Sequence, residues 1–154
     1  MEEKTCFFIG HREAGKEVSK QLAEAVERHI TQYGVSNFTV GGYGGFDRLA
    51  TAAVIAAKEN HPDIRLFRLL PYHPSERHIE ISSGFDGTFY PPGMETVPKR
   101  LAIVRANRYM IGHSNYLIAY VWHPASNAHN LVEYARKREK SGGINITLLE
   151  HPRE

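Results

Sequence analysis

Strand-like apolar runs alternate along this chain with segments of helical periodicity, and that alternation restricts the fold more than any other feature. Thr5–Ile9 reads as a strand. Lys16–Tyr33 reads as a helix, because Val18, Leu22, Val26 and Ile30 recur every fourth residue and Gly34 supplies a stop. Phe38–Val40 is a short second strand, and Gly41-Gly42-Tyr43-Gly44-Gly45 breaks the chain before a helix over Phe46–Asn60 that is apolar nearly all round. Arg65–Leu70 is the third strand. Lys99–Gly112, Tyr116–Val121, Asn127–Lys140 and Ile144–Leu149 then follow as helix, strand, helix and strand. Such an order implies right-handed crossovers, so the predicted fold is α/β: a three-layer, Rossmann-like parallel sheet of about five strands with helices on both faces. Between them, Tyr72–Pro98 dissolves into Gly, Pro, Ser and aromatics, a long excursion of the kind that carries function.

Composition narrows the class. With 154 residues, 42% of them hydrophobic, and no internal repeat or linker, the chain is expected to form one domain over 1–154. The 19 Lys+Arg against 17 Asp+Glu leave a net charge of +2, which excludes the strong basic field of a dedicated nucleic-acid binder. Cys6 is the sole cysteine, lies in an apolar run and reads as a buried thiol. Met1-Glu2-Glu3-Lys4 lacks the basic start of an export signal, and no run approaches the ~18 apolar residues of a membrane span, so a cytoplasmic protein with no membrane partner is expected. None of the nine His has a zinc-binding spacing with Cys, and neither a metal nor a cofactor is expected.

In an open parallel sheet ligands bind beyond the carboxyl ends of the strands, where strand order reverses. With order 3-2-1-4-5 that point lies between the first and fourth strands, bringing Gly10-His11-Arg12 beside Trp122–Asn130. Gly10 permits close backbone approach, and the Arg12 guanidinium matches phosphate or carboxylate. The turn Gly42-Tyr43-Gly44-Gly45-Phe46-Asp47 opens a helix, whose unpaired N–H groups suit an anion; equally, it is a tight turn with Asp47 capping the first helical turn. It matches neither the dinucleotide spacing nor the P-loop. Arg105, Asn107, Arg108 and Tyr109 are candidate polar anchors, whereas Lys99 and Arg100 read as a solvated face. Trp122 offers a stacking ring. Ser126 and Asn127 are candidate helix caps as well as ligand contacts, joined by Asn130. His129 and Glu133, four apart, can pair on one helical face. Glu133 and Asp47 are the candidate catalytic carboxylates.

Thr5-Cys6-Phe7-Phe8-Ile9-Gly10-His11-Arg12, the Gly41–Ala50 segment, Arg105-Ala106-Asn107-Arg108-Tyr109-Met110-Ile111, the strand Tyr116–Trp122 and Val132-Glu133-Tyr134-Ala135-Arg136 together resemble the SLOG superfamily, and more narrowly the bacterial YpsA-like Rossmann proteins. The resemblance implies a nucleotide-related ligand held by the loops after strands one, two and four, with Gly10, His11 and Arg12 in the first loop, Gly42, Gly44 and Asp47 in the second, and Arg105, Asn107, Arg108 and Tyr109 on the helix before strand four. It also implies a homodimer. Relatives include phosphoribohydrolases that cleave the bond between base and ribose phosphate, and DNA-binding proteins. Many relatives place Gly-Gly-Thr after strand four; this chain has Ala125-Ser126-Asn127-Ala128-His129-Asn130, so the easy backbone approach to a phosphate is lost and side chains must substitute. The leading expectation is therefore a nucleotide-binding sensor or adaptor. The alternatives are an N-glycosidic hydrolase of nucleoside monophosphates and, disfavoured by charge, a single-strand nucleic-acid binder.

Overall fold

The computed structural model describes residues 3–151; Met1 and Glu2, part of the start expected to lack an export signal, and 152–154 lie outside the described residues. Along the chain run β1 (Thr5–Gly10), α1 (Ser19–Thr31), β2 (Asn37–Val40), α2 (Gly45–Ala57), β3 (Arg65–Leu69), β4 (Gly87–Phe89), α3 (Ala102–His113), β5 (Tyr116–Tyr120), α4 (Asn127–Lys140) and β6 (Asn145–Leu148). The strands form one sheet in the order β4-β3-β2-β1-β5-β6, and every neighbouring pair is parallel. The reversal thus falls between β1 and β5, as expected from an order of 3-2-1-4-5.

Steps from β1 through β2 and β3 to β4 move one way across the sheet, and the step from β5 to β6 moves the other way. With right-handed crossovers, α1 and α2 cover one face, and α3 and α4 the other. Alternate residues of each strand serve the two layers. Cys6, Phe8, Phe38, Leu66, Ile118 and Tyr120 pack with Leu22, Val26 and Val54. Phe7, Ile9, Leu117 and Ala119 pack with Ile111, Leu131 and Val132. Each fully buried Phe or Leu among them contributes about 1.5–3 kcal/mol of transfer free energy.

Two departures from expectation have local causes. The sheet has six strands rather than five, because Gly87–Phe89 adds an edge beside β3. Three residues, one a glycine, are too few to show a period. This strand is fastened by Asp86, whose carboxylate accepts the Leu66 N–H at 2.8 Å and the Lys58 ammonium at 2.6 Å. The expected helix start at Lys16 is a 3-10 turn over Lys16–Val18, with α1 proper beginning at Ser19, since the Glu17 carboxylate is turned back onto the Gly15 N–H at 2.8 Å. Among the described residues no helix is long and apolar enough to cross a membrane.

Candidate functional site

His11 joins two of the loops that leave the strand ends. Its Nε2 accepts the backbone N–H of Trp122 at 2.8 Å and of His123 at 3.2 Å. Nε2 is therefore the unprotonated nitrogen, and Nδ1 carries the proton of the neutral ring. Burial lowers the affinity of His11 for a second proton; Glu13 opposes this, and His123 and His151 reinforce it. The ring, only 4% exposed, sits edge-on to Trp122.

The glycine turn docks against the β1 loop. A Cβ on Gly45 would lie 2.1 Å from the Ala14 carbonyl oxygen, and one on Gly10 would lie 2.2 Å from Cγ of Phe46. Gly44 has φ +119°, open to glycine alone, and leans on the Arg12 backbone. Two of the N–H groups that were expected to hold an anion are occupied. Gly45 donates to the Arg12 carbonyl at 2.8 Å and Phe46 to the His11 carbonyl at 3.3 Å. Tyr43 donates to Oδ2 of Asp47 at 2.9 Å, and the Gly42 N–H is turned to the same carboxylate. Burial pushes the Asp47 carboxyl upward in pKa, opposed by those two amides and by the Arg68 charge. The start of α2 consequently holds a carboxylate of its own, while the Gly44 and Asp47 N–H groups have no partner among the described residues.

Above the ends of β1 and β2, between α3 and α4, opens a cleft of about 610 Å³. Of the expected residues, Gly10, His11, Arg12, Asp47, Asn107, Ser126 and Asn127 line it. At its α4 side the Ser126 hydroxyl accepts the His129 N–H at 3.0 Å, the expected cap, while the N–H groups of Asn127 and Ala128 find no partner among the described residues. Arg12 and Arg100 give the cleft two cations, and Ile103, Val104 and Leu131 form an apolar wall. Ile103, Val104 and Tyr43 were not singled out in the sequence, and Arg100, read there as a solvated face, is exposed and also lines the cleft. The spacing of 103, 104 and 107 on one face of α3 was the available signal. Arg68 was missed too: its Nε donates to the Gly41 carbonyl at 3.1 Å, and its guanidinium covers the open side of Gly42.

Other candidates do not reach the cleft. Gly42, Gly44 and Gly45 are not among its lining residues. Arg105 is exposed, and Arg108 lies 5.0 Å over the Tyr134 ring, because a helix turns roughly 100° per residue and Asn107 takes the inward position. Trp122 continues the alternation of β5 toward the α1 layer, where it stacks on His151 at 4.6 Å. Asn130 and Glu133 are exposed on α4, and the Glu133 carboxylate pairs with Arg136 at 3.4 Å. Of the two candidate carboxylates, Asp47 alone lines the cleft. Among the described residues no cluster of His, Cys, Asp and Glu could hold a metal ion. No family model and no curated protein matches the chain.

Proposed function

We propose that this chain is a binding protein for a nucleotide or nucleotide derivative, a cytoplasmic sensor or adaptor of the SLOG superfamily and YpsA-like in kind. The observation that carries this reading is the convergence of the loops after β1, β2 and β5 on one cleft at the reversal of strand order. Its chemistry is divided along its length. Cations and unpaired amides at Arg12, Arg100, Asn127 and Ala128 suit a phosphate, and the apolar wall suits a base. A glycosidase would need a second carboxylate or a positioned water on the opposite side of the sugar. Glu133, the other candidate carboxylate, is exposed on α4 and pairs with Arg136.

Adenosine or uridine monophosphate is expected to raise the melting temperature in thermal-shift titration. Arg12→Ala is expected to weaken that binding by about tenfold or more, the loss of a hydrogen bond to a charged group. An unchanged melting temperature with both nucleotides at millimolar concentration would count against the proposal. Release of free base, followed chromatographically and abolished by Asp47→Asn, would replace it with the hydrolase.

The same reading includes a homodimer, motivated by the apolar length of Phe46–Ala57. Sedimentation at tens of micromolar, where an interface of standard size holds, is expected to show twice the 17.4 kDa chain mass. A single monomeric species would remove the dimer from the proposal.

A further inference from the structure

Two cavities meet beside α3. The cleft and a narrow crevice of about 10 Å³ share Gly41, Tyr43, Ile103 and Asn107, and the crevice is completed by Leu69, Pro71 and Ala106. A space that small scarcely admits one water, so the junction is a largely dry corner. Asn107 brings the only side-chain amide to it. Other polar side chains of the cleft are engaged within the protein: His11 with the Trp122 N–H, Asp47 with the Tyr43 N–H and Ser126 with the His129 N–H. The half-buried Asn107 amide has no such partner among the described residues, although it shares its wall with Ile103, Val104 and Leu131. A polar group in an apolar wall is costly unless it is hydrogen-bonded, so this amide is left for water or a ligand.

Charge and burial are graded along this side of the cleft. Arg100 stands exposed in the 3-10 turn Lys99–Leu101 that precedes α3, and Asn107 follows seven residues later, roughly 10–12 Å along the axis. Arg12, which packs on Gly44, is exposed as well. A phosphate held by these exposed cations stays near water, whereas a neutral base loses little on entering the apolar corner. Adenine fits that corner best among the common bases. An amide offers a donor and an acceptor side by side, which pair with the adenine N6–H and a neighbouring ring nitrogen. Bound in the same way, guanine would leave its N2 amine without a partner in the apolar wall, and uracil or cytosine a carbonyl.

We infer that the corner between Tyr43, Ile103 and Asn107 is an adenine subsite, in which the Asn107 amide reads the amino edge of the base and the phosphate stays at the exposed end of the cleft. This rests on the nucleotide-binding reading above and adds to it a base preference and an orientation. Asn107 is a specificity residue in this assignment.

The test is calorimetric titration of the intact protein with AMP, GMP, ribose 5-phosphate and purine riboside 5′-monophosphate, which lacks the amino group of AMP. AMP is expected to bind about tenfold or more tighter than each of the others, since loss of the amino group leaves the Asn107 oxygen unpaired. Asn107→Leu, close in volume and apolar like the wall around it, is expected to lower the affinity for AMP to that for the purine analogue. Should that variant fail to fold by circular dichroism, the comparison of the four ligands on the unaltered protein decides the matter alone. Purine riboside monophosphate or GMP binding as tightly as AMP would overturn the adenine subsite while leaving nucleotide binding intact. Loss of ribose 5-phosphate binding in a folded Asn107→Leu protein would overturn it too, by placing Asn107 on the sugar phosphate. Absence of heat with all four up to about 1 mM would remove both the subsite and the nucleotide reading.

Discussion

Replacing Gly45 by alanine is expected to lower the unfolding free energy by about 3 kcal/mol or more, at the upper end of the effect of overpacking. The added methyl would meet the Ala14 carbonyl oxygen at 2.1 Å and the Arg12 carbonyl oxygen at 2.8 Å. Both are backbone atoms, which cannot rotate away as a side chain can. Relief requires the β1 loop and the start of α2 to separate, which also lengthens the bonds from the Gly45 and Phe46 amides to the Arg12 and His11 carbonyls. For a domain of this size the change corresponds to about 6–12 °C in melting temperature. Gly112→Ala is the control, because it lies inside α3 with nothing within 4 Å of the added methyl, and it is expected to stabilise by about 0.5–1 kcal/mol. Urea melts of the two variants measure both. A Gly45→Ala protein within about 0.5 kcal/mol of the parent, the range of an ordinary surface change, would show that the two loops are not docked as described.

Acidification below neutrality is expected to destabilise the protein steeply, through His11 and His29. Burial holds both below the ordinary histidine value of 6.5, so in that region the unfolded chain binds more protons than the folded one. Stability therefore rises with pH across the window. The contribution of each ring is complete above about 6.5 and is lost as the pH falls toward its depressed folded value, at up to about 1.4 kcal/mol per pH unit. The structural cause differs between the two. An imidazolium at His11 cannot accept the Trp122 and His123 N–H groups, so the loop that sets the start of α4 is released. His29 is wholly buried, its Nδ1 bonded to the Ala25 carbonyl at 2.7 Å and its Nε2 without a partner, between the edges of Tyr33 and Tyr116. Asp47 acts in the other direction: its carboxyl is raised, so its burial opposes folding less as the pH falls toward the carboxylate range. Denaturant melts from pH 7.5 to 5.0 measure the sum. His11→Gln, which retains an acceptor but does not titrate, is expected to reduce the slope by about half. A slope unchanged in that variant would mean that His11 does not hold the two loops together.

How far the sequence could be read depends on the range of the interactions concerned. The bounds of α4 are those expected, Asn127–Lys140, because the Ser126 cap and the spacing of Leu131, Val132 and Ala135 are local. The unexpected β4 is the converse case. Its identity as a strand comes from hydrogen bonding to β3, with Phe67 beside Gly87, and nothing within Gly87–Phe89 announces it. The same division runs through the site. Asn107, Ser126 and Asn127 reach the cleft through helical geometry that their own neighbours specify. The glycine turn, by contrast, looks open to an anion when only Gly41–Asp47 is considered. Two of its amides, Gly45 and Phe46, are filled by carbonyls of Arg12 and His11, more than thirty positions earlier in the chain.

Periodicity and composition alone determined the alternating α/β order, the parallel sheet with both faces covered and the end of that sheet where polar loops collect, since each follows from burying apolar residues at intervals set by the backbone. Tertiary structure decided which of those polar groups remain available. A hydrogen-bonding group is removed from or left to a ligand by a partner that is distant in sequence, and pairing of that kind leaves no periodic trace. It turned His11 into a tether between loops, moved Trp122 and Glu133 away from the cleft, and closed the Gly45 and Phe46 amides against the β1 loop.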